Sequence, residues 1–291
     1  MIGPTLAVAL AFALAAPPDG DPAATSPAEP AATPPLAAAP PSPPPAAPAR
    51  AVPWLPGERM EYVIDYLGIT MGKAALSVGA TVDGAAPLQL SSRSAGLLSV
   101  ITFRQTLVSD LDLATFLPRS SILDALEPGD YKHTDTARFD RATDKATVRE
   151  KGRFDNTYEI EVPPGTIDFV ALVFTLRTLP LPDGATHTFQ VLAGRKVSPV
   201  LTSVVKRESL RTDAGRFPCV KVRVPTGFDG KFSEKNPTYV WFSDDARRLV
   251  VRISTDFAIG RADADLSRYQ PGQAEAAAVV PAPAPAPPPA P

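Results

Sequence analysis

His133 and His187 are the only imidazoles available as bases or metal ligands near neutral pH, and each falls in a separate strand-like run of the 291-residue chain. A nucleophilic mechanism would need a serine at a strand-turn-helix elbow, but no G-x-S-x-G occurs. No glycine loop built to cradle phosphate is present, and no closely spaced histidine and carboxylate group that could bind metal. The single cysteine, Cys219, lies in the alternating run Phe217 to Val224, where a buried structural thiol is expected. It allows no intramolecular disulfide and no cysteine-based zinc site. The densest polar cluster is Ser243-Asp244-Asp245-Ala246-Arg247-Arg248. It could be a charged binding loop or a pair of acid-base carboxylates. It also fits a hairpin turn in which serine and aspartate bond local backbone and the arginines neutralise the acids; the lack of a partner base favours the turn. Asp229 to Pro237 has loop composition and no ligand spacing. These observations point away from an enzyme, and no cofactor or metal is expected.

The segment Thr166 to Arg177 (TIDFVALVFTLR) has a different character. Thr166 suits an N-cap, Asp168 the positive end of a helix dipole, and Arg177 the negative end. Its apolar side chains run almost all the way round, so a helix here should be enclosed, although the Val and Phe content leaves a strand as the alternative. Ordinary core packing is the first expectation for Phe169, Val170, Val173 and Phe174. If the helix and its surroundings leave space, the same four residues become candidate ligand-binding residues for a hydrophobic molecule.

The elements that must position this helix read as antiparallel strands. Met60 to Leu67, Lys73 to Val82, Leu88 to Ser94 and Val100 to Leu111 alternate or carry β-branched and aromatic residues. They are followed by Leu117 to Leu126, Tyr131 to Asp140, Thr147 to Glu150 and Thr157 to Val162. After Pro180 to Gly184 come Thr186 to Leu192, Lys196 to Leu210, Arg216 to Val224, Thr238 to Ser243, Leu249 to Asp256 and Ile259 to Leu266. Asp83-Gly84, Glu127-Pro128-Gly129-Asp130 and Asp213-Ala214-Gly215 are turn sequences between them. The expected fold is mainly β: a strongly curved antiparallel sheet or partly open β-barrel, with one apolar helix packed on its concave side.

Composition sets the boundaries. Thr5 to Ala16 is an apolar run of signal-peptide length with Ala13 and Ala15 suited to cleavage, although its n-region has no Lys or Arg. Residues 17–53 and 271–291 are rich in Pro and Ala, which cannot bury enough surface to repay ordering. This leaves 54–270 as one β-rich domain between a disordered linker and a disordered tail. No cysteine lies near the cleavage point, so a soluble periplasmic product without a lipid anchor is expected, and no later apolar run reaches transmembrane length. With 29 basic and 31 acidic residues and no run of one sign, composition offers no electrostatic case for nucleic acid or an anionic membrane.

Several short motifs resemble a bacterial exported family, domain of unknown function 3108. They are Pro56-Gly57-Glu58 before Tyr62-Val63-Ile64, then Gly68-Ile69 with Gly72-Lys73-Ala74, and Asp168-Phe169-Val170-Ala171 with Arg177. Asp213-Ala214-Gly215-Arg216-Phe217 and the run Tyr239 to Val251, with Gly260 after it, complete the resemblance across nearly the whole folded region. Phe169 and Val250 stand where the family commonly has proline. The resemblance implies a cell-envelope location and supplies no reaction. Two roles stay open: a periplasmic binder or carrier of a hydrophobic ligand such as a lipid acyl chain, and a structural or scaffolding module that contacts envelope proteins.

Overall fold

The turn chemistry sets the path of the chain. Leu67 and Gly68 both take positive φ, as do Asp83 with Gly84 and Gly129 with Asp130. Paired left-handed residues suit the twist of tight antiparallel hairpins. A computed structural model describes residues 52–99, 102–152, 155–225, 237–256 and 260–273. The signal segment, nearly all of the linker, the tail from 274 onward and the loop residues 229–236 lie outside the described residues.

The first eight strands are β1 (Arg59–Tyr66), β2 (Ile69–Val78), β3 (Ala85–Ser94), β4 (Arg104–Asp112), β5 (Pro118–Glu127), β6 (Tyr131–Asp140), β7 (Lys145–Lys151) and β8 (Asp155–Glu161). The single α-helix, α1, spans Phe169–Thr178. Six strands follow: β9 (Thr186–Ala193), β10 (Lys196–Thr212), β11 (Gly215–Pro225), β12 (Pro237–Ser243), β13 (Val250–Asp256) and β14 (Arg261–Gln270). All belong to one 14-stranded antiparallel sheet, in which every strand pairs with its sequence neighbour except that β8 and β9 do not pair and β1 pairs with β14. The sheet is therefore not closed, and β8 and β9 are its two edges.

Alternation gives the sheet a core face and an outer face. On β1 the core face carries Met60, Tyr62 and Ile64, and on β4 it carries Gln105, Leu107, Ser109 and Leu111. Across the open seam, side chains meet where backbones do not. Leu192 packs with Ala137 and Val148, Arg195 sits 3.3 Å from Glu150, and its guanidinium lies 4.5 Å over the Tyr158 ring. A parallel bridge between Ile167 and Val191 ties the approach to α1 onto β9.

The segment 166–177 is helical rather than extended, and its start differs from the expectation. Asp168, not Thr166, is the N-cap: its carboxylate accepts from the Ala171 amide, while the Thr166 hydroxyl turns back to the Pro163 carbonyl at 2.5 Å. Thr166 and Ile167 thereby lie before the helix, with Ile167 bridged to Val191 of β9. At the other end Leu179 is extended, as the residue before Pro180 must be. The β3–β4 connection also differs, because Gly96–Leu98 forms a 3-10 turn and β4 starts only at Arg104.

Candidate functional site

A helix without a polar face has nowhere favourable to go except a core, and α1 is enclosed accordingly. Every residue from Val170 to Arg177 is buried, the apolar ones in one cluster with core-face residues of the sheet, and the helix packs against β3, β4 and β9. Val170, Val173 and Phe174 are fully packed within that cluster, whereas Phe169 is only half-buried and lies at the helix start. The four candidate ligand-binding residues thus share one short helix but do not line a common space. Phe174 meets Trp54 edge-on at 5.1 Å, near the helix C-terminus, and Phe169 lines a small cavity at the other end.

That cavity holds about 60 Å³, between α1 and the core face of β4 to β7, with Leu123, Asp135, Glu150 and Asp168 among its lining residues. Asp168 is its chemical feature. Ser109 Oγ donates to Asp168 Oδ2 at 2.5 Å, and the Ala171 amide donates to Oδ1 at 2.9 Å. Burial pushes this carboxyl above the ordinary aspartate range, and the two hydrogen bonds and the Arg141 charge only partly offset it. Asp135 is also raised, by burial first and then by the charge of Glu150.

The C-terminal end of α1 is held by a buried ion pair. Arg177 Nη1 donates to Glu58 Oε1 at 2.6 Å, with the two side chains 0 % and 2 % exposed. Two further guanidinium N–H groups are used: Nε donates to the Arg248 carbonyl at 3.0 Å and Nη2 to the Arg247 carbonyl at 3.1 Å. Trp54 and Phe174 place their rings about the same cation, with centroids at 5.2 and 5.1 Å. A charge removed from water is tolerable only when paired and hydrogen-bonded, and Arg177 has the Glu58 carboxylate and two backbone carbonyls as partners. Next to this group the Tyr62 hydroxyl donates to the Val250 carbonyl at 2.9 Å, and burial pushes the phenol far above its ordinary range.

The polar motifs resolve into structure. Asp245 accepts from the Arg247 amide at 3.0 Å and from Ser243 Oγ at 2.7 Å, so 243–248 is a hairpin turn, and two of its carbonyls accept from Arg177. Cys219 is buried, its thiol near the Phe217 carbonyl, and burial lifts it to about 11. His133 stacks on Tyr131 on β6, and His187 lies on β9 with Nε2 3.3 Å from the Pro180 carbonyl. Among the described residues no three His, Cys, Asp or Glu side chains gather as a metal site, and no helix is long and apolar enough to cross a membrane. Sequence reasoning missed the partners Glu58, Trp54 and Ser109. The signal that could have found the first was the buried arginine itself, since an enclosed helix ending in a cation demands an acid elsewhere.

The family model described as "Protein of unknown function (DUF3108)" matches residues 61–267. Among solved structures, a β-barrel-like protein of domain of unknown function DUF1849 from Brucella abortus aligns with 77 % of this chain and 100 % of its own, at 13 % identity and a TM-score of 0.52. That likeness concerns the fold alone. A protein with a YmcC-like fold from Bacteroides fragilis aligns over 76 % of this chain and 99 % of its own, at 11 % identity and a TM-score of 0.35. No curated protein matches.

Proposed function

The chain belongs to the DUF3108 family, and from that membership and the pinned helix we propose that it is an exported, periplasmic interaction module of the cell envelope rather than an enzyme or a lipid carrier. One observation carries this reading: α1 is itself buried in the core cluster, and the cavity described beside it is small. The cavity beside α1 holds about 60 Å³, whereas pockets for drug-sized ligands begin at about 300 Å³. Larger hollows of about 360 and 510 Å³ lie on the sheet, one lined mainly by β1–β4 and the other by β5–β8, with mostly outer-face side chains around each. Phe169, Val170, Val173 and Phe174 act in this reading as core, and α1 as an internal strut fixed at Asp168 and Arg177. The export assignment rests on the apolar Thr5 to Ala16 segment with its small residues.

The test is in two arms, one on protein purified from its own periplasm and one in cells. Native mass spectrometry should show unliganded protein, and crosslinking in cells should recover envelope partners. A lipid that co-purifies in stoichiometric amount would restore the carrier reading, and recovery of uncrosslinked monomer alone would remove the module reading.

A further inference from the structure

Strand register assembles a charge pattern that the linear sequence hides. Lys73 on β2 is directly opposite Arg93 on β3, and Arg93 is directly opposite Arg104 on β4. The three cations form one continuous cross-strand row on the outer face, all exposed. Like charges directly opposite one another work against a sheet. Among the described residues none of the three makes an ion pair. The nearest acid of that hollow, Glu61, is held by Arg59 at 2.8 Å. Asp65 and Asp263 oppose each other on the β1–β14 pair, where the exposed Arg268 also stands opposite Glu61, so the row of three cations borders a surface of mixed charge there.

The row stands just behind an apolar tip. Leu67 in the β1–β2 turn, Ile69 at the start of β2 and Leu97 in the 3-10 turn are 63 %, 48 % and 67 % exposed. They belong to one end of the domain. A Cβ on Gly96 would come within 2.3 Å of the Thr70 carbonyl oxygen, so the 3-10 turn lies against the start of β2. Turn tips are normally polar, because water must solvate their backbone. Along β2, four residues at about 3.3 Å each place Lys73 roughly 13 Å behind Ile69. Apolar groups that enter a bilayer interface reach roughly 5–10 Å into it. Side chains as long as lysine and arginine at that setback lie at the level of lipid phosphates.

We infer that this end of the domain docks on an anionic phospholipid surface, with Leu67, Ile69 and Leu97 entering the interface and the Lys73, Arg93 and Arg104 row resting on the headgroup phosphates. The contact is peripheral and is independent of whether the interior binds anything.

Vesicle flotation with the purified full chain tests it. Vesicles of phosphatidylglycerol and phosphatidylethanolamine should carry the protein, and pure phosphatidylcholine vesicles should not. Each cation near an anionic surface contributes enough that Lys73→Gln, Arg93→Gln and Arg104→Gln together should lower affinity on the order of a hundredfold. Raising salt from about 0.05 to about 0.5 M should weaken wild-type binding in the same direction, a measurement that needs no variant. Leu97→Trp should show a blue-shifted emission with anionic vesicles only. Absence of wild-type flotation, binding indifferent to salt, or an unshifted Leu97→Trp spectrum would overturn the inference. So would saturable binding of inorganic phosphate at the row in the absence of any vesicle binding, which would make it a small-anion site.

Discussion

Replacing Arg177 by methionine is the sharpest perturbation of the helix anchor. The substitution keeps the long apolar stem and deletes the cation. Glu58, 2 % exposed, then remains as a charge without its partner, and the Arg247 and Arg248 carbonyls each lose a donor. Removing one member of a buried pair costs about 3–5 kcal/mol, because the other is left uncompensated. The two lost carbonyl bonds act in the same direction, but water drawn to the turn can replace part of them. At about 2–4 °C per kcal/mol for a domain of this size, the thermal midpoint should fall by roughly 6–20 °C. Urea denaturation followed by circular dichroism gives the free energies of wild type, Arg177→Met, Glu58→Gln and the double variant. Contact between the two residues requires strong non-additivity, with the double variant recovering at least about 2 kcal/mol of the summed single losses. A cost for Arg177→Met below about 1 kcal/mol, or additive single losses, would refute the claim that this pair pins the helix.

Further outcomes follow from the same geometry. Asp168→Ala removes a cap worth about 1 kcal/mol and leaves Ser109 without its acceptor at a further cost of about 1–3 kcal/mol, whereas Asp168→Asn keeps an acceptor and should lie within about 1 kcal/mol of wild type at neutral pH, both read by urea denaturation. Because the folded-state value of Asp168 is raised, the stability it contributes is present at pH below the ordinary aspartate range. It is lost as pH rises through the folded value, and Asp168→Asn should flatten that part of the stability profile. Cys219, buried and lifted to about 11, should react with a thiol reagent at pH 8 only as fast as the protein opens; prompt labelling of native protein would contradict its placement. Gly96→Ala forces a Cβ to within 2.3 Å of the Thr70 carbonyl oxygen at a φ of 59°, and should lower the thermal midpoint by several degrees.

Local chemistry was legible in the sequence and long-range pairing was not. Tyr131 to Asp140 is a strand with the bounds its alternation and flanking turns indicate, and the Asp213-Ala214-Gly215 hairpin joins β10 to β11 as expected. The helix was legible from its apolar run, but its start was not. Thr166 and Asp168 both have capping side chains, and the choice depends on which one has a tertiary partner, which Ser109 supplies to Asp168. Glu58 and Arg177 are separated by 119 positions, so nothing local identifies them as a pair. The Lys73, Arg93 and Arg104 row escaped for the same reason. The overall balance of charge has no run of one sign, and only register brings these three side by side.

The pairing of β1 with β14 has a kinetic consequence. Strands β1–β8 and β9–β14 are two meanders whose neighbours all lie close in sequence, and each can zip through local hairpins. They join only when Arg59 finds Gln270 and the residues beyond follow it. Loop closure over such a separation is slow compared with hairpin formation. Until it occurs, β1 and β14 are each an unpaired edge, the kind of surface that recruits another chain. Residues flanking those strands meet as well, the Gln273 amide donating to the Pro56 carbonyl at 2.9 Å. A circular permutant that joins the chain there and opens it between β8 and β9 would make the slowest contact local. It should fold faster than the natural order and aggregate less while folding.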